Sequence, residues 1–450
     1  VDDCGVCGGE NSCLGCMDEI ASNYSSEAEV DDGTCEYSFW YVGVNCSDNV
    51  QTCINQASNG DTVLVPQGTY SGGFELYDKS ITLASLHLFT GAQEDIDNTI
   101  LDGYGGTRVL WIREHSDNAV IQGFTIQNGT GHESAGGGIK VSGGPAVLDS
   151  LIVKNNVGDG GGIWARGSLT LKNSIIKSNS GANGGAIRIQ GKQDDDSGTT
   201  YKNIVINNTI FDGNTSENQG GALWISYKNV DISESIFKNN SSSEKGTVYL
   251  EHCTVTVKKS ILINNTSGQN DGAIRGASSG IKIYSSLIAN NEGGGLFFGN
   301  SDSTAFLQNV TVVNNSNDMG IYANTKVRIL NSIVRGNQSV QLHVNAEDLF
   351  VAYSDIEGGL EGVKVTESGT VDWNTGNIDK NPSFVKIATG DEESDYHLSD
   401  WSPAIGAGTT TGAPTTDIEG NPRPNPAGSN PDMGAFENTN STQQNRKIYI

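Results

Sequence analysis

The stretch Gly184-Gly185-Ala186-Ile187-Arg188 opens GGAIRIQG, and close variants recur: GGGIWARG from Gly160, GGALWISY from Gly220 and DGAIRGAS from Asp271. Each copy sets small residues before an aliphatic one and then a Trp or Arg. A glycine pair marks a sharp turn, and the alternation after it marks a short strand. Successive side chains on a strand face opposite ways. Ile163, Ile187, Leu223, Val248, Ile274, Leu296 and Ile321 therefore point inward, and the residue after each points outward. Trp164, Arg188, Trp224, Tyr249, Arg275, Phe297 and Tyr322 form the resulting outward stripe, extended by Lys140, His343 and Lys364.

A second pattern runs from about residue 118 to 360. An aliphatic-x-aliphatic run is followed by two polar residues, a small residue, a spacer, an aliphatic or Phe, two more residues and an Asn. The asparagines are Asn128, Asn155, Asn179, Asn214, Asn240, Asn265, Asn291, Asn315 and Asn337, spaced 22 to 35 residues apart. The aliphatic place holds Ile152, Ile176, Phe211, Phe237, Leu262, Ile288, Val312 and Val334. This period is too short for a propeller blade, and no 3.6-residue pattern appears in it. Stacked coils of three short strands fit it, each burying its aliphatics against the coils on either side. The Asn is expected at a left-handed turn, with its amide bonding backbone or the next Asn along the stack. The longest step holds GKQDDDSGTTYKN from Gly191, expected as a protruding acidic loop.

Composition agrees with an ordered, turn-rich β protein: 58 Gly but 9 Pro in 450 residues. The net charge of −26 argues against nucleic acid and anionic lipid as partners. No apolar run of membrane-spanning length occurs. The opening VDDCGVCGG and the final RKIYI read as a mature or trimmed piece of a longer exported protein. Seven of the eight cysteines fall between Cys4 and Cys53, while Cys253 stands alone. Dense cysteines in a short Gly- and Asp-rich segment imply disulfides and an oxidising compartment. The preferred pairs are Cys16–Cys35 and Cys46–Cys53, with Cys4, Cys7 and Cys13 unassigned. The rival is a zinc site, because Cys4-x-x-Cys7 and Cys13-x-x-Cys16 have ligand spacing.

GGAI at Gly184 and GGAL at Gly220, with FDGN at Phe211 and FKNN at Phe237, resemble the GGAI and FxxN repeats of chlamydial polymorphic outer-membrane proteins. More broadly the chain resembles right-handed parallel β-helices of the pectate-lyase-like superfamily. ASNGDTVLVPQGTYSGGFELYDKSITLAS from Ala57 is similar to the first coils of exported β-helices. DCGVCGG and GCMDEIASNYSSEAEVDDGTCEY look like thrombospondin-type-3-like modules. The resemblance implies an all-β right-handed parallel β-helix of eleven or twelve coils, with a disulfide-rich module at one end and an irregular cap at the other. The expected divisions are a Cys-rich module at 1–37, a cap and first coils at 38–117, repeats at 118–366, a closing segment at 367–437 that hides the last open coil, and a tail at 438–450. That tail is expected to add a strand to a neighbouring copy.

Lyases of this superfamily imply an Arg or Lys base beside acidic calcium ligands on adjacent coils, and hydrolases imply paired carboxylates. No column of Asp or Glu runs beside Arg188 and Arg275, and Asp194, Asp195 and Asp196 share one loop. No catalytic residue is therefore assigned. The six histidines show no metal spacing, and His252 beside Cys253 points to the opposite face. Calcium is the one ion expected, on Asp18, Asp31 and Asp32. Ordinary Asx turns account for these residues equally well. The stripe is either a packed structural ladder or a face for a sugar polymer or another protein surface. The favoured function is an extracellular stalk, filament subunit or adhesin, with other copies, surface proteins or a polysaccharide as partners. The alternative is a secreted polysaccharide lyase or glycoside hydrolase.

Overall fold

The computed structural model describes residues 14–131, 135–191, 202–268, 271–299, 304–345, 347–388 and 394–445. The chain is an all-β parallel solenoid of about 13 turns, more than the eleven or twelve expected. Two long sheets run its length. Among the described residues one has twelve strands, in order from Phe74–Leu76 to Val363–Thr366. The other, the flank sheet, supplies two strands per turn, such as Leu169–Lys172 and Ile175–Lys177. A small third sheet joins Ser180–Asn183, Thr215–Gln219 and Ser241–Ser242.

Left-handed residues turn the corners. One column of them bends the flank sheet: Asn173, Asn208, Glu234 and Lys259 all have φ between 46° and 52° or within a degree of it, at 51°, 46°, 51° and 47°. A second column ends that sheet at Asn155, Ser178, Gly213, Asn239 and Asn264. The glycine pair makes the third corner. Gly184 and Gly220 have φ of 65° and 67°. A Cβ on Gly185 would meet the carbonyls of Gly221 and Thr215 at 2.3 Å, so the second glycine is required by the close approach of the next turn.

The asparagine row needs correction in its first two members. Asn128 and Asn155 are left-handed corner residues with φ of 56° and 55°, and the inward place of their turns is one residue later, held by Gly129 and by the amide Asn156; the left-handed conformation expected of the row belongs to the residue before it, as at Ser178, Asn239 and Asn264. The row is Asn156, Asn179, Asn214, Asn240, Asn265, Asn291, Asn315 and Asn337, all buried. Asn179 is typical: its N–H and its Nδ2 both donate to Asn214 Oδ1 at 3.0 Å, and Nδ2 also donates to Val153 O at 2.9 Å. Gln341 Oε1 closes one end of the row by accepting from Asn337 Nδ2 at 2.7 Å. At the other end Gly129 N–H donates to Asn156 Oδ1 at 2.8 Å. The same one-residue shift moves the inward aliphatic of that turn from Ile152 to Val153, which pairs with Ile126 and Ile176. This inward column continues through Phe211 and Phe237, stacked at 4.6 Å with 3° between ring planes.

The N-terminal end is covered by the helix Val50–Gln56, whose N-cap Asn49 Oδ1 accepts from Thr52 N. Its buried face, Val50, Cys53 and Ile54, joins the core. Disulfides Cys16–Cys35 and Cys46–Cys53 form as expected. Cys4, Cys7, Cys13, the acidic loop at Asp194–Asp196 and the final Lys447–Ile450 lie outside the described residues.

The segment expected to close the last coil goes elsewhere. After Thr370–Trp373 joins the flank sheet, the chain doubles back and lies on that sheet's outer face. Tyr396, Leu398, Ile418, Met433 and Phe436 pack on Leu287, Ala289, Val313 and Ile333. Asn331 ties this arm down, donating to Thr409 O at 2.8 Å and accepting from Thr409 N at 2.8 Å. Burying this outer face favours the arm over solvent, at about 25 cal/mol per Å² of apolar surface covered.

Candidate functional site

The twelve-stranded sheet sets one outward residue per turn in strict register. From Glu75 the row reads Trp111, Lys140, Trp164, Arg188, Trp224, Tyr249, Arg275, Phe297, Tyr322, His343 and Lys364. It divides into two parts with different electrostatics.

From Arg188 onward the row is packed on itself. Arg188 pairs with Asp159 and stacks 4.6 Å from the Trp224 ring. Arg275 pairs with Asp271 and stacks 4.2 Å from Phe297. Phe297 lies 4.6 Å from Tyr322, and Tyr322 meets His343 edge-on at 5.1 Å. Tyr249 is buried, and burial with the nearby Glu251 pushes its hydroxyl up to about 12. Burial lowers both arginines from their ordinary range. Both arginines here already have a carboxylate and a ring.

The first turns differ. Trp111 is flanked by Arg113 at 4.3 Å, Lys140 at 4.5 Å and Arg108 at 5.3 Å from its centroid. Lys140 also faces Trp164 at 5.4 Å, and Arg166 lies 5.0 Å from that ring. Arg113 stacks 5.0 Å from the exposed Tyr77. Four cations thus surround two indoles and a phenol. Of these four, only Arg113 has an ion pair with a described residue, Glu75 at 3.0 Å. Burial lowers the Lys140 ammonium, and Arg108, Arg166 and Arg113 add to the effect. This is a cationic, aromatic patch on a protein of net charge −26.

Of this patch the sequence pattern found Lys140 and Trp164. Arg113 and Arg166 each stand two residues after an outward Trp, so the period of two places them on the same face. Trp111 lies in a turn before the repeat template becomes recognisable.

The residues expected to hold calcium are engaged otherwise. Asp18 Oδ1 accepts from Ile20 N at 3.1 Å, and Oδ2 accepts from Tyr37 Oη at 2.6 Å. Asp31 caps Gly33 N and Asp32 caps Thr34 N, both as Asx turns. Among the described residues no three His, Cys, Asp or Glu side chains converge as a metal cage. Cys253 is buried, its Sγ donating to Glu251 O at 3.3 Å, and burial pushes the thiol up to about 11. Its neighbour His252 stacks on Tyr227 instead, at 4.7 Å.

Two features away from the sheet face were missed by sequence reading. Arg335 meets carboxylates from successive turns, Asp355 at 2.9 Å and Asp379 at 2.8 Å, with Glu357 at 4.0 Å. Burial pushes Asp355 up to about 6. On the arm itself, His397 Nδ1 lies 2.6 Å from Asp395 and Nε2 lies 3.1 Å from Glu419. Burial would lower this imidazole, but the bonds to Glu419 and Asp395 outweigh it and raise it. It borders a cleft of about 1040 Å³ floored by Ile236, Ile261 and Leu287.

No family model matches the chain, and no curated protein matches it. Solved structures do. Pectate lyase Pel9A is similar at 15% identity and a TM-score of 0.42, over 89% of this chain and 95% of that one. The catalytic unit of a GH87 α-1,3-glucanase from Streptomyces thermodiastaticus is similar at 12% identity and a TM-score of 0.41, over 75% of this chain and 68% of that one. The A-module of the Azotobacter vinelandii mannuronan C-5 epimerase AlgE6 is similar at 14% identity and a TM-score of 0.34, over 76% of this chain and all of that module.

Proposed function

We propose that the chain is an extracellular, adhesive β-helix that holds an acidic polysaccharide against the first turns of the twelve-stranded sheet without transforming it. The observation that carries this reading is the set Arg108, Arg113, Lys140 and Arg166 around Trp111 and Trp164. The half-buried Trp111 offers an indole face to the apolar side of a sugar ring, the buried Trp164 backs Lys140 and Arg166, and the cations pair with the sugar's carboxylates or sulfates. The net charge of −26 repels a polyanion at long range, and the local patch has to overcome it. Charges beyond about 8 Å are screened, so the local patch dominates once the ligand is seated. The two disulfides support an oxidising, extracellular setting.

The test is retention on immobilised polygalacturonate against a neutral α-glucan, with the supernatant monitored for unsaturated or reducing products. Selective retention with no product supports the reading, and equal retention on both matrices refutes the acidic preference. A second reading, a polysaccharide lyase or hydrolase, draws on Arg335 facing carboxylates across turns. Against it, Asp355 is wholly buried and its Oδ1 also accepts from Lys380 N at 3.1 Å, the pattern of a structural lock. Accumulation of product, lost on Arg335→Gln, would reverse the order of the two readings.

A further inference from the structure

A second group of uncompensated cations lies on the flank sheet, beside the arm. Thr256, Lys282, Phe306, Arg328 and Phe350 occupy one column of outward positions, and Lys258 and Tyr284 are neighbours in the next. Lys259 follows at the left-handed corner, with φ of 47°. The arm crosses here: Ser285 Oγ donates to Thr416 O at 3.1 Å, and Gln308 Nε2 donates to Thr411 O at 3.1 Å. Between arm and sheet a cavity of about 460 Å³ opens, lined by Lys258, Lys259, Lys282, Tyr284, Pro414 and Thr416 among others. Among the described residues none of the three lysines has an ion pair.

We infer that this cavity is a second binding site, for a sugar unit bearing a negatively charged substituent. Three lysines line this cavity, its lining holds no carboxylate, and none of the three has an ion pair among the described residues, so the complement is an oxyanion. The volume falls within the range of small-molecule sites, and Tyr284 and Pro414 give it an apolar wall on which a ring can lie. The site stands on a different sheet from the Trp111 patch and does not depend on it. With both sites occupied, one molecule bridges two polysaccharide chains.

The test uses the full chain carrying Trp111→Ala, Arg113→Gln, Lys140→Gln and Arg166→Gln, which removes the Trp111 ring and three of the four cations of the sheet face. Titration calorimetry measures binding of trigalacturonate, of a sulfated disaccharide, of neutral cellotriose and of inorganic sulfate. Trigalacturonate or the sulfated disaccharide is expected to bind, cellotriose is not, and the carboxylate and sulfate arms identify the substituent. Adding Lys258→Gln and Lys282→Gln is expected to weaken that binding at least about tenfold. Both lysines are exposed, so the fold is unaffected. Unchanged affinity in that variant, or no binding of either charged sugar to the parent, overturns the site. Inorganic sulfate binding as tightly as the charged sugars overturns the sugar assignment.

Discussion

Replacing Asn156 by Ala separates the buried amide row from the corner residue beside it. Asn156 Oδ1 accepts the Gly129 N–H at 2.8 Å, and its Nδ2 donates to Ile126 O at 3.1 Å and to Asn179 Oδ1 at 3.0 Å. The Asn156 backbone N–H keeps its own bond to Asn179 Oδ1 in the variant. Two buried groups, the Gly129 N–H and the Ile126 carbonyl, lose these partners at about 1–3 kcal/mol each. The expected cost is therefore about 2–6 kcal/mol. Asn155→Ala removes an exposed side chain at φ of 55° and costs only the left-handed strain of an alanine, about 1–2 kcal/mol. Asn155→Gly removes even that. Urea unfolding followed by indole fluorescence reports on these turns, since Trp111 and Trp164 lie in the neighbouring strands. Hydrogen exchange at Gly129 gives the local effect directly. An Asn155→Ala variant as damaged as Asn156→Ala would refute the assignment of the row.

The remaining expectations concern core and arm. Phe237→Ala empties half of the Phe211–Phe237 stack and is expected to lower stability by about 3–5 kcal/mol in chemical denaturation, against little change for Tyr77→Ala on the surface. Arm docking is expected to tighten at mildly acidic pH. Burial and the adjacent Glu437 push Asp432 up to about 7, and His397 is also raised. A raised folded-state value means the folded arm holds protons that the unfolded arm has released, so the Asp432 contribution is full below about pH 4 and falls as pH rises to about 7, and the His397 contribution is full below about pH 6.5 and falls above it. Slower proteolysis of the arm at pH 5.5 than at pH 8 checks the sign, with Asp432→Asn expected to flatten the difference.

The stacked architecture was legible because every turn repeats one template, and Phe211, Phe237 and the paired glycines fix its register in the central coils. The register slipped in the first turns for a physical reason. In DSLIVKNN from Asp149, three apolar residues and two adjacent asparagines satisfy the template in either of two frames. The three-dimensional pairing of Val153 with Ile176, with the bond from Leu151 N to Ser174 Oγ at 3.1 Å, chooses between them. The arm's seat also left a trace. Outward positions that hold Lys177, Asp212 and Lys238 become Ile263, Ala289 and Val313 in later turns, so alternation fades where a face is covered. What covers that face could not be read, because the arm comes from roughly 80 to 130 residues further along the chain. In the candidate site Lys140 and Trp164 were visible through the period of two. The lack of carboxylate partners around them is a three-dimensional fact that no local pattern encodes.

The most direct measurement compares affinity for a defined oligogalacturonate in two variants of the sheet face across a salt series. Lys140→Gln with Arg166→Gln removes two unpaired cations, while Arg188→Gln with Arg275→Gln removes two that already have Asp159 and Asp271. The first pair is expected to weaken binding at least about tenfold and to flatten its salt dependence, and the second to leave both nearly as they were. Equal loss from both pairs, or loss from the second alone, would contradict the account.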